Sequence, residues 1–265
     1  MVQITKQQLD LWEAQSYLVI RGLFSDIAAD LSRWVDDVAA WPKDDSKWLT
    51  NYEESNPSQL ARRENFTPYH EGLAGVINGP IVLRIIEQLM GEPAVLYKDR
   101  INFKLPGGGA HMAHQDGVAY EQGLEARFFD PEVKPYVSIL IGVDRATLEN
   151  GCLQVTPNWP INRIDILPME ATILGRPDIT KIRQDVEDSL FWIPIPTEPG
   201  DTLFFTERLP HRSDINKSNV PRRILYGVYN PASAGDKRKA YFDIKRKNPN
   251  DPRYMVGNPH ALVKP

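Results

Sequence analysis

The chain has 265 residues, of which 42% are hydrophobic and 25% are charged, and its formal net charge is −4. This length is typical of one large domain, and all-β sandwiches and barrels often use it. The slightly acidic balance argues against nucleic-acid binding, which needs a basic face. Because Cys152 is the only cysteine, no disulfide can form within the chain, and this fits a reducing compartment.

The N-terminal sequence has no charged segment followed by an apolar one, so it does not resemble a secretory signal. No apolar run approaches the roughly 18 residues of a membrane span. We therefore expect a soluble, cytoplasmic protein that binds neither membranes nor nucleic acids. The composition leaves open whether the protein forms a homodimer.

The first part of the chain, about residues 1–91, predicts mainly helices. The expected elements are a helix capped by Thr5, a buried strand at 17–20, a helix capped by Ser25 or Asp26 and stopped by Pro42, and a helix at about 71–90. Residues 42–68 are polar and aromatic without a clear period. They predict a long loop, whose charged and aromatic side chains, Arg62 among them, could form a lid over a substrate.

From about residue 92 the pattern changes to short apolar segments separated by Pro, Gly and Asn. The candidate strands lie at 93–97, 99–105, 111–116, 136–144, 152–155, 190–195, 201–206, 209–213 and 222–230. Helices followed by many short strands predict an α+β, mainly β fold in which helices buttress one face of a β-sandwich. We expect one domain with a helical part to about 91, a β core at about 92–232 and a C-terminal tail at 233–265.

The triplet His114-Gln115-Asp116 is the strongest chemical signal in the chain. The first and third residues of a strand point to the same face, so His114 and Asp116 could offer an imidazole and a carboxylate to one point. With His211 from a distant strand they would form the 2-His-1-carboxylate triad that holds non-haem Fe(II). The triplet alone is weak, since His114 could be a core histidine and Asp116 an unrelated polar residue.

Several segments around the triplet add to this signal. A glycine-rich turn precedes it in KLPGGGAHMAHQD, and the segments ENGCLQVTPN and PGDTLFF, followed by LPHRS and PRR, come after it. Together these segments resemble the phytanoyl-CoA dioxygenase (PhyH) family of Fe(II)/2-oxoglutarate oxygenases over roughly residues 8–247. More narrowly, RRENFTPYHEGL and YKDRINFKLPGGGAHMAHQD resemble the branch around 2-aminoethylphosphonate dioxygenase.

This resemblance implies a double-stranded β-helix (a cupin-like jelly roll) buttressed by N-terminal helices, with Fe(II), 2-oxoglutarate and O2 as cofactors and cosubstrates. It makes His114, Asp116 and His211 the iron ligands. It also matches Arg222 to the family arginine that pairs with the distal carboxylate of 2-oxoglutarate. A planar guanidinium can bind a carboxylate in a bidentate way, which lysine cannot. Arg223 would lie on the opposite face, as a surface or structural residue.

Other residues are candidates with plainer alternatives. Contacts to the cosubstrate are expected from residues that could equally form a solvated sheet face or core packing, namely Lys104, Asn102, Ser138 and Tyr226. Contacts to the substrate are expected from Lys98, Arg100, Tyr120, Arg127 and His70. Lys98 and Arg100 are the cations that would meet a phosphonate or carboxylate. His111 has helical rather than strand spacing to His114, so we expect a structural or outer-sphere role for it.

The expected function is hydroxylation of an unactivated C–H bond of a small molecule, such as an aminophosphonate. One alternative is a specialised-metabolite oxygenase, for instance of terpenoids, that hydroxylates, desaturates or rearranges its substrate. Another class of alternative is a non-catalytic jelly-roll binding module. A protein-modifying oxygenase would need an open groove, whereas long loops around the site favour a small substrate.

Overall fold

The computed structural model describes residues 3–53, 56–121, 132–173 and 176–247. Its helices are α1 Lys6–Gln15, α2 Ala28–Ala39, α3 Glu71–Ile77, α4 Pro80–Met90, α5 Asp116–Glu121, α6 Gln184–Ser189 and α7 Arg238–Lys247. Its strands are β1 Tyr17–Ile20, β2 Leu49–Tyr52, β3 Leu60–Glu64, β4 Ala94–Lys104, β5 His111–His114, β6 Val137–Gly142, β7 Leu153–Val155, β8 Met169–Ile173, β9 Arg176–Ile182, β10 Ile193–Ile195, β11 Thr202–Thr206, β12 His211–Ser213 and β13 Arg222–Pro231.

The strands form a large and a small antiparallel sheet. The large sheet has seven strands in the order β1-β11-β6-β13-β4-β3-β2, and the small sheet has four in the order β10-β7-β12-β5. Strands β8 and β9 form a separate pair. Two antiparallel sheets joined by long crossovers are the jelly-roll arrangement, so the predicted fold class is confirmed.

Side chains alternate between the two faces of the large sheet, and each face has its own environment. The outer face packs on the N-terminal helices: Ile139 of β6 and Leu225 of β13 join Val35 of α2 and Ile85 of α4 in one buried cluster. Each such side chain contributes about 1.5–3 kcal/mol by leaving water. On the inner face, Leu140 and other alternate residues pack toward the small sheet. The helices therefore buttress one face, as predicted.

The segment predicted as one helix at 71–90 is two helices. Pro80 has no amide hydrogen to continue a helix, and a Cβ at Gly79 would collide with the Gly75 carbonyl, so the chain breaks between α3 and α4. By length and composition alone, Glu71–Met90 could cross a membrane. In the fold, both helices pack into the core beneath the large sheet, with Ile77 and Ile86 fully buried.

The prediction of a long loop at 42–68 is wrong, because this segment contains β2 and β3. Strand β3 pairs with β4 and β2 pairs with β3, so they extend the large sheet. The sequence LARRE lacks apolar alternation because charged side chains occupy both of its faces. Arg62 and Glu64 face inward, where a strand normally carries apolar residues.

Helix α7 lies within the segment that the sequence assigns to a tail. Its Tyr241 and Phe242 pack with Tyr97, Tyr136 and Val228 in a small buried cluster. An ion pair of 2.5 Å between Arg238 Nη1 and Asp99 Oδ1 ties the start of the helix to β4. The packed structure therefore continues past residue 232 to the end of α7.

Candidate active site

Strands β5 and β12 bring the two predicted histidine ligands together. They are neighbours in the small sheet, where His211 lies opposite His114, and the two ring centroids are 4.2 Å apart. Asp116 completes the group, and one ligand atom from each of the three residues lies within 4.8 Å of the others. The predicted triad is thus assembled as a metal-sized donor set.

Backbone carbonyls orient both imidazoles. His114 Nδ1 lies 2.6 Å from the Met112 carbonyl oxygen, and His211 Nδ1 lies 2.9 Å from that of Leu209. When Nδ1 carries the hydrogen and donates it to a carbonyl, the lone pair remains on Nε2, which then faces the centre of the triad. This is the usual outer arrangement around a metal-bound histidine, and the residues present fit a divalent iron ion.

Asp116 reaches the triad by a different route from the one that strand alternation predicts. Strand β5 ends at His114, and Asp116 is the first residue of α5. Between them, Gln115 turns away: its Nε2 donates to the carbonyls of Asp165 and Arg208, and its Oε1 accepts from the Leu167 amide at 2.9 Å. These three hydrogen bonds hold the turn that aims Asp116 at the histidines.

The electrostatics of the triad suit a cation. Burial raises the pKa of Asp116, but the hydrogen bond with His114 and the charges of His211 and Lys98 outweigh it and hold that pKa well below its usual value. Burial and the neighbouring His114 lower the pKa of His211 to about 4. The site therefore presents an ionised carboxylate and a neutral imidazole, the forms that bind metals. Asp116 Oδ2 is buried without a hydrogen-bond partner among the described residues.

Neighbouring arginines on β13 face opposite sides, as predicted. Arg223 points to the helices, where its Nε and Nη2 donate to Asp144 at 2.9 and 2.7 Å and it also pairs with Asp36 of α2. Arg222 points inward and is 1% exposed. Its Nε and Nη1 have no hydrogen-bond partner in the part of the chain that the structure describes. A buried guanidinium with unused donors is suited to an anionic ligand.

Lys104 lies directly across from Arg222 on β4. Its Nζ donates to Ser213 Oγ at 2.8 Å and to the Asp214 carbonyl at 2.5 Å. Burial and the positive charge of Arg222 hold the pKa of Lys104 well below its usual value. We call Arg222 and Lys104 together the Arg222 pair.

A cavity of about 170 Å³ opens beside the triad. Four cationic side chains line it, and we call them the cation cluster: Arg62, Lys98, Arg100 and Lys245. Phe205, Leu153 and Tyr241 supply apolar and aromatic walls. Burial and the neighbouring Arg100 hold the pKa of Lys98 well below its usual value, which shows how closely these cations are crowded.

The structure brings most of the predicted contact residues to this cavity. Lys98, Arg100, Asn102 and Tyr226 line it, and they alternate on the inner faces of β4 and β13. Asn102 Oδ1 accepts a hydrogen bond from Arg62 Nε at 3.1 Å. Arg62 therefore belongs to a wall strand rather than to a lid.

Other predicted residues lie elsewhere. Ser138 is buried on the inner face of β6, opposite Phe205, but does not line the cavity. His70, predicted as a substrate contact, does not line this cavity: its Nδ1 accepts from the Leu73 amide to cap α3, and its ring lies 6.3 Å from that of Trp41. Arg127 and the side chain of Tyr120 lie outside the described residues.

Two cavity residues, Tyr241 and Lys245, were not identified from the sequence, because α7 itself was not predicted. Their spacing of four along KAYFDIKRK places them on one helix face, and this is the signal that could have found them. His111 also lines the cavity, where burial and nearby Lys104 hold its pKa well below its usual value. It is thus a neutral neighbour of the triad, in keeping with the outer-sphere role expected of it.

Comparison with known proteins identifies the family of the chain. The family model described as phytanoyl-CoA dioxygenase (PhyH) matches residues 12–224. Methylphosphonate hydroxylase of Gimesia maris is 36% identical over 92% of this chain and 88% of its own length. The 2-aminoethylphosphonate dioxygenase of uncultured bacterium HF130_AEPn_1 is 32% identical over 100% of this chain and 96% of its own.

Among solved structures, the crystal structure of EctD from S. alaskensis with 2-oxoglutarate and 5-hydroxyectoine superposes with a TM-score of 0.70. It has 18% identity and covers 87% of this chain and 77% of that one. At this identity the likeness concerns the fold, and it supports the jelly-roll assignment. The family match and the relatives at 36% and 32% identity show that the chain belongs to the phytanoyl-CoA dioxygenase (PhyH) family of non-haem Fe(II)- and 2-oxoglutarate-dependent dioxygenases.

Proposed function

We propose that this enzyme hydroxylates a C–H bond of a small phosphonate. In this proposal His114, Asp116 and His211 hold the iron, Arg222 anchors 2-oxoglutarate, and the cation cluster binds the phosphonate group. The observation that carries the proposal is the presence of four cationic side chains around one small cavity beside the triad.

The triad supports the metal role through its donor set. Two oriented imidazoles and one ionised carboxylate hold iron(II) on one face and leave the other positions open. When bound, iron(II) with 2-oxoglutarate and O2 supplies the oxidising power that converts C–H to C–OH, while 2-oxoglutarate is converted to succinate and CO2. The protein residues around it bind, orient and exclude water.

The Arg222 pair supports the cosubstrate role. Arg222 is buried, carries unused donors and lies on the inner face beside Tyr226. A buried guanidinium is stabilised by a carboxylate partner, and its planar donors fix that carboxylate in one orientation. Lys104 adds a second positive charge, while its hydrogen bonds to Ser213 and Asp214 hold it in place.

The cation cluster supports a doubly charged substrate. Near neutral pH a phosphoryl-type group carries a charge of about −1.5 to −2 and has three strong acceptor oxygens. Crowded, buried cations disfavour their own charged state, and a dianion bound among them offsets that repulsion. Two relatives whose names refer to phosphonates, methylphosphonate hydroxylase and 2-aminoethylphosphonate dioxygenase, independently support this substrate class. A cavity of about 170 Å³ also suits a small molecule better than a protein substrate.

The test is succinate release from 2-oxoglutarate by the iron-loaded enzyme. Methylphosphonate and 2-aminoethylphosphonate would be compared with acetate and β-alanine, which carry a carboxylate in place of the phosphonate. We expect succinate release to depend on a phosphonate and a hydroxylated product to appear in equal amount. Turnover with neutral terpenoid-like molecules and with no phosphonate would overturn the proposal in favour of a specialised-metabolite oxygenase.

A further inference from the structure

Helix α7 is fixed against the edge of the large sheet by contacts at both ends. At its start, Arg238 pairs with Asp99, and Arg238 Nη2 donates to Asn65 Oδ1 at 2.7 Å. At its end, Arg246 donates to the carbonyls of Asp45 and Lys47 at 3.1 and 2.8 Å. These contacts hold the helix beside the cavity in a defined position.

One face of α7 is turned toward the site. Arg238, Tyr241 and Lys245 are spaced by three and four residues and therefore lie on the same side of the helix. Tyr241 packs on Tyr97 with ring centroids 4.9 Å apart, and both Tyr241 and Lys245 line the cavity. Lys245 is only 4% exposed although it lies in the last turn of a helix. A lysine rarely occupies such a position without a specific partner.

Glu64 of β3 is that partner. The Lys245 ammonium donates to both carboxylate oxygens of Glu64, at 2.6 and 2.7 Å. Arg62 Nη1 lies 3.5 Å from the same carboxylate, so one acid serves two cations of the cluster. Lys245 and Arg62 line the cavity whereas Glu64 does not. The carboxylate therefore holds both cations from behind while they face the bound molecule.

We propose that Lys245, positioned by Glu64, is a specificity-determining residue that binds the phosphonate group of the substrate. This inference rests on the proposed function and deepens it. Residue 245 lies beyond the segment 12–224 that the family model matches. In this arrangement Arg62, Lys98 and Arg100 supply charge from the sheet, and Lys245 closes the cluster from the helix.

The cluster also accounts for selection between dianions and monoanions. The four cationic side chains that line the cavity concentrate positive charge, which one carboxylate substrate would compensate only in part. A doubly charged phosphonate compensates more of it, and its three oxygens can meet donors from different directions. Removing Lys245 should therefore weaken phosphonate binding without disturbing the Arg222 pair.

The experiment uses Lys245→Met, Lys245→Gln and Lys245→Arg, with Lys239→Met as the matched control. Lys239 lies on the same helix, but its side chain is 87% exposed and it pairs with Asp243 at the surface. For each protein we would measure kcat, the KM for methylphosphonate and the KM for 2-oxoglutarate. Anaerobic titration of the Fe(II)- and 2-oxoglutarate-loaded enzyme with methylphosphonate would measure binding without turnover.

We expect Lys245→Met and Lys245→Gln to raise the KM and the anaerobic Kd for methylphosphonate by about 10- to 100-fold, as for the loss of one hydrogen bond to a charged group. The KM for 2-oxoglutarate and the absorption band of the Fe(II)–2-oxoglutarate complex should not change. Lys245→Arg should restore most of the affinity, and Lys239→Met should match the wild type.

Two results would overturn the inference. One is unchanged methylphosphonate affinity in both neutral variants. The other is an equal rise in the KM for 2-oxoglutarate, which would indicate a structural role for the ion pair. Failure of the proposed function would give a different result from failure of this inference, because wild-type enzyme would release no succinate with any phosphonate. The anaerobic titration would still measure whether Lys245 contributes to anion binding. If Lys245→Met does not fold, Lys245→Gln, which can still donate to Glu64, carries the test.

Discussion

The Arg222 pair and the sheet residues of the cation cluster lie on the inner face of the same sheet, but the two groups differ in how their charge is compensated. Arg222 has no carboxylate partner among the described residues, whereas Lys245 and Arg62 share Glu64. A buried cation without a counter-ion is costly, and in the proposed function the 2-oxoglutarate carboxylate supplies that counter-ion. In the cation cluster, Glu64 supplies part of the compensation from within the protein.

The two groups also differ in which parts of the chain build them. Arg222 and Lys104 lie on two adjacent core strands, β13 and β4, and both residues fall within the segment that the family model matches. The cation cluster combines β3, β4 and the C-terminal helix α7, which lies outside that segment. The Arg222 pair is therefore built within one sheet, whereas the cation cluster also needs a helix that is distant in the chain.

The largest expected effect comes from Asp116→Ala, because the proposed reaction of substrate and cosubstrate depends on the metal. Loss of one of the three ligands should abolish Fe(II) binding and reduce succinate release to background. Asp165→Ala is a suitable control, since that carboxylate is 63% exposed and pairs with Arg163 at the surface. Retained turnover in Asp116→Ala would remove that residue from the ligand set.

The second-largest effect is expected for Arg222→Gln, which tests the proposed contact with 2-oxoglutarate alone. Loss of a bidentate guanidinium–carboxylate contact, at about 1.5–3 kcal/mol per hydrogen bond to a charged group, should raise the KM for 2-oxoglutarate by about 100-fold or more. The anaerobic Kd for methylphosphonate should change little. If the KM for 2-oxoglutarate and the Kd for methylphosphonate rise together, the Arg222 pair and the cation cluster do not bind separate molecules.

The pH dependence tests the cation cluster. Burial lowers the pKa of Lys245 to about 8, although Glu64 opposes this, with Arg62 and Arg100 adding to the lowering. Lys98 and Tyr241 also face this group. Lysine is charged below its pKa, so kcat/KM for methylphosphonate should be maintained below about pH 8 and fall several-fold above it.

In Lys245→Arg the group stays charged, so this descending limb should move to higher pH. The ionisation of methylphosphonate is the same for both proteins and cancels from the comparison. An identical descending limb in the two pH profiles would show that another group controls it.

The smallest effect is expected for Arg223→Gln, the neighbour of Arg222 on the opposite face. Its hydrogen bonds to Asp144 join the sheet to the loop after β6, and its pair with Asp36 reaches α2. Losing them should cost about 1–3 kcal/mol and lower Tm by a few degrees, with both KM values unchanged. A large rise in the KM for 2-oxoglutarate would contradict the assignment of Arg223 to the helical side.

Much of the site follows from spacing within single elements. Alternation along β13 separates Arg222 from Arg223, and the same alternation along KDRINFK places Lys98, Arg100 and Asn102 on one face. These predictions succeed because the two-residue period of a strand is a local property. Strand alternation also predicted that Asp116 lies near His114, although Asp116 is not in the strand. The turn that positions it is held by hydrogen bonds from Gln115 to the carbonyls of Asp165 and Arg208, which are distant in the chain.

Sequence motifs and strand alternation are local, and they were enough to predict the family, the three clustered residues of the triad and the inward orientation of Arg222. The widening of the sheet by β2 and β3, the capping of a helix by His70 and the approach of Lys245 to Glu64 became visible only in the folded chain. Those outcomes depend on contacts between elements distant in the chain, such as the ion pair between residues 64 and 245. Such contacts leave no periodic pattern in either segment, since a polar strand and a basic helix resemble exposed surface until they are packed together.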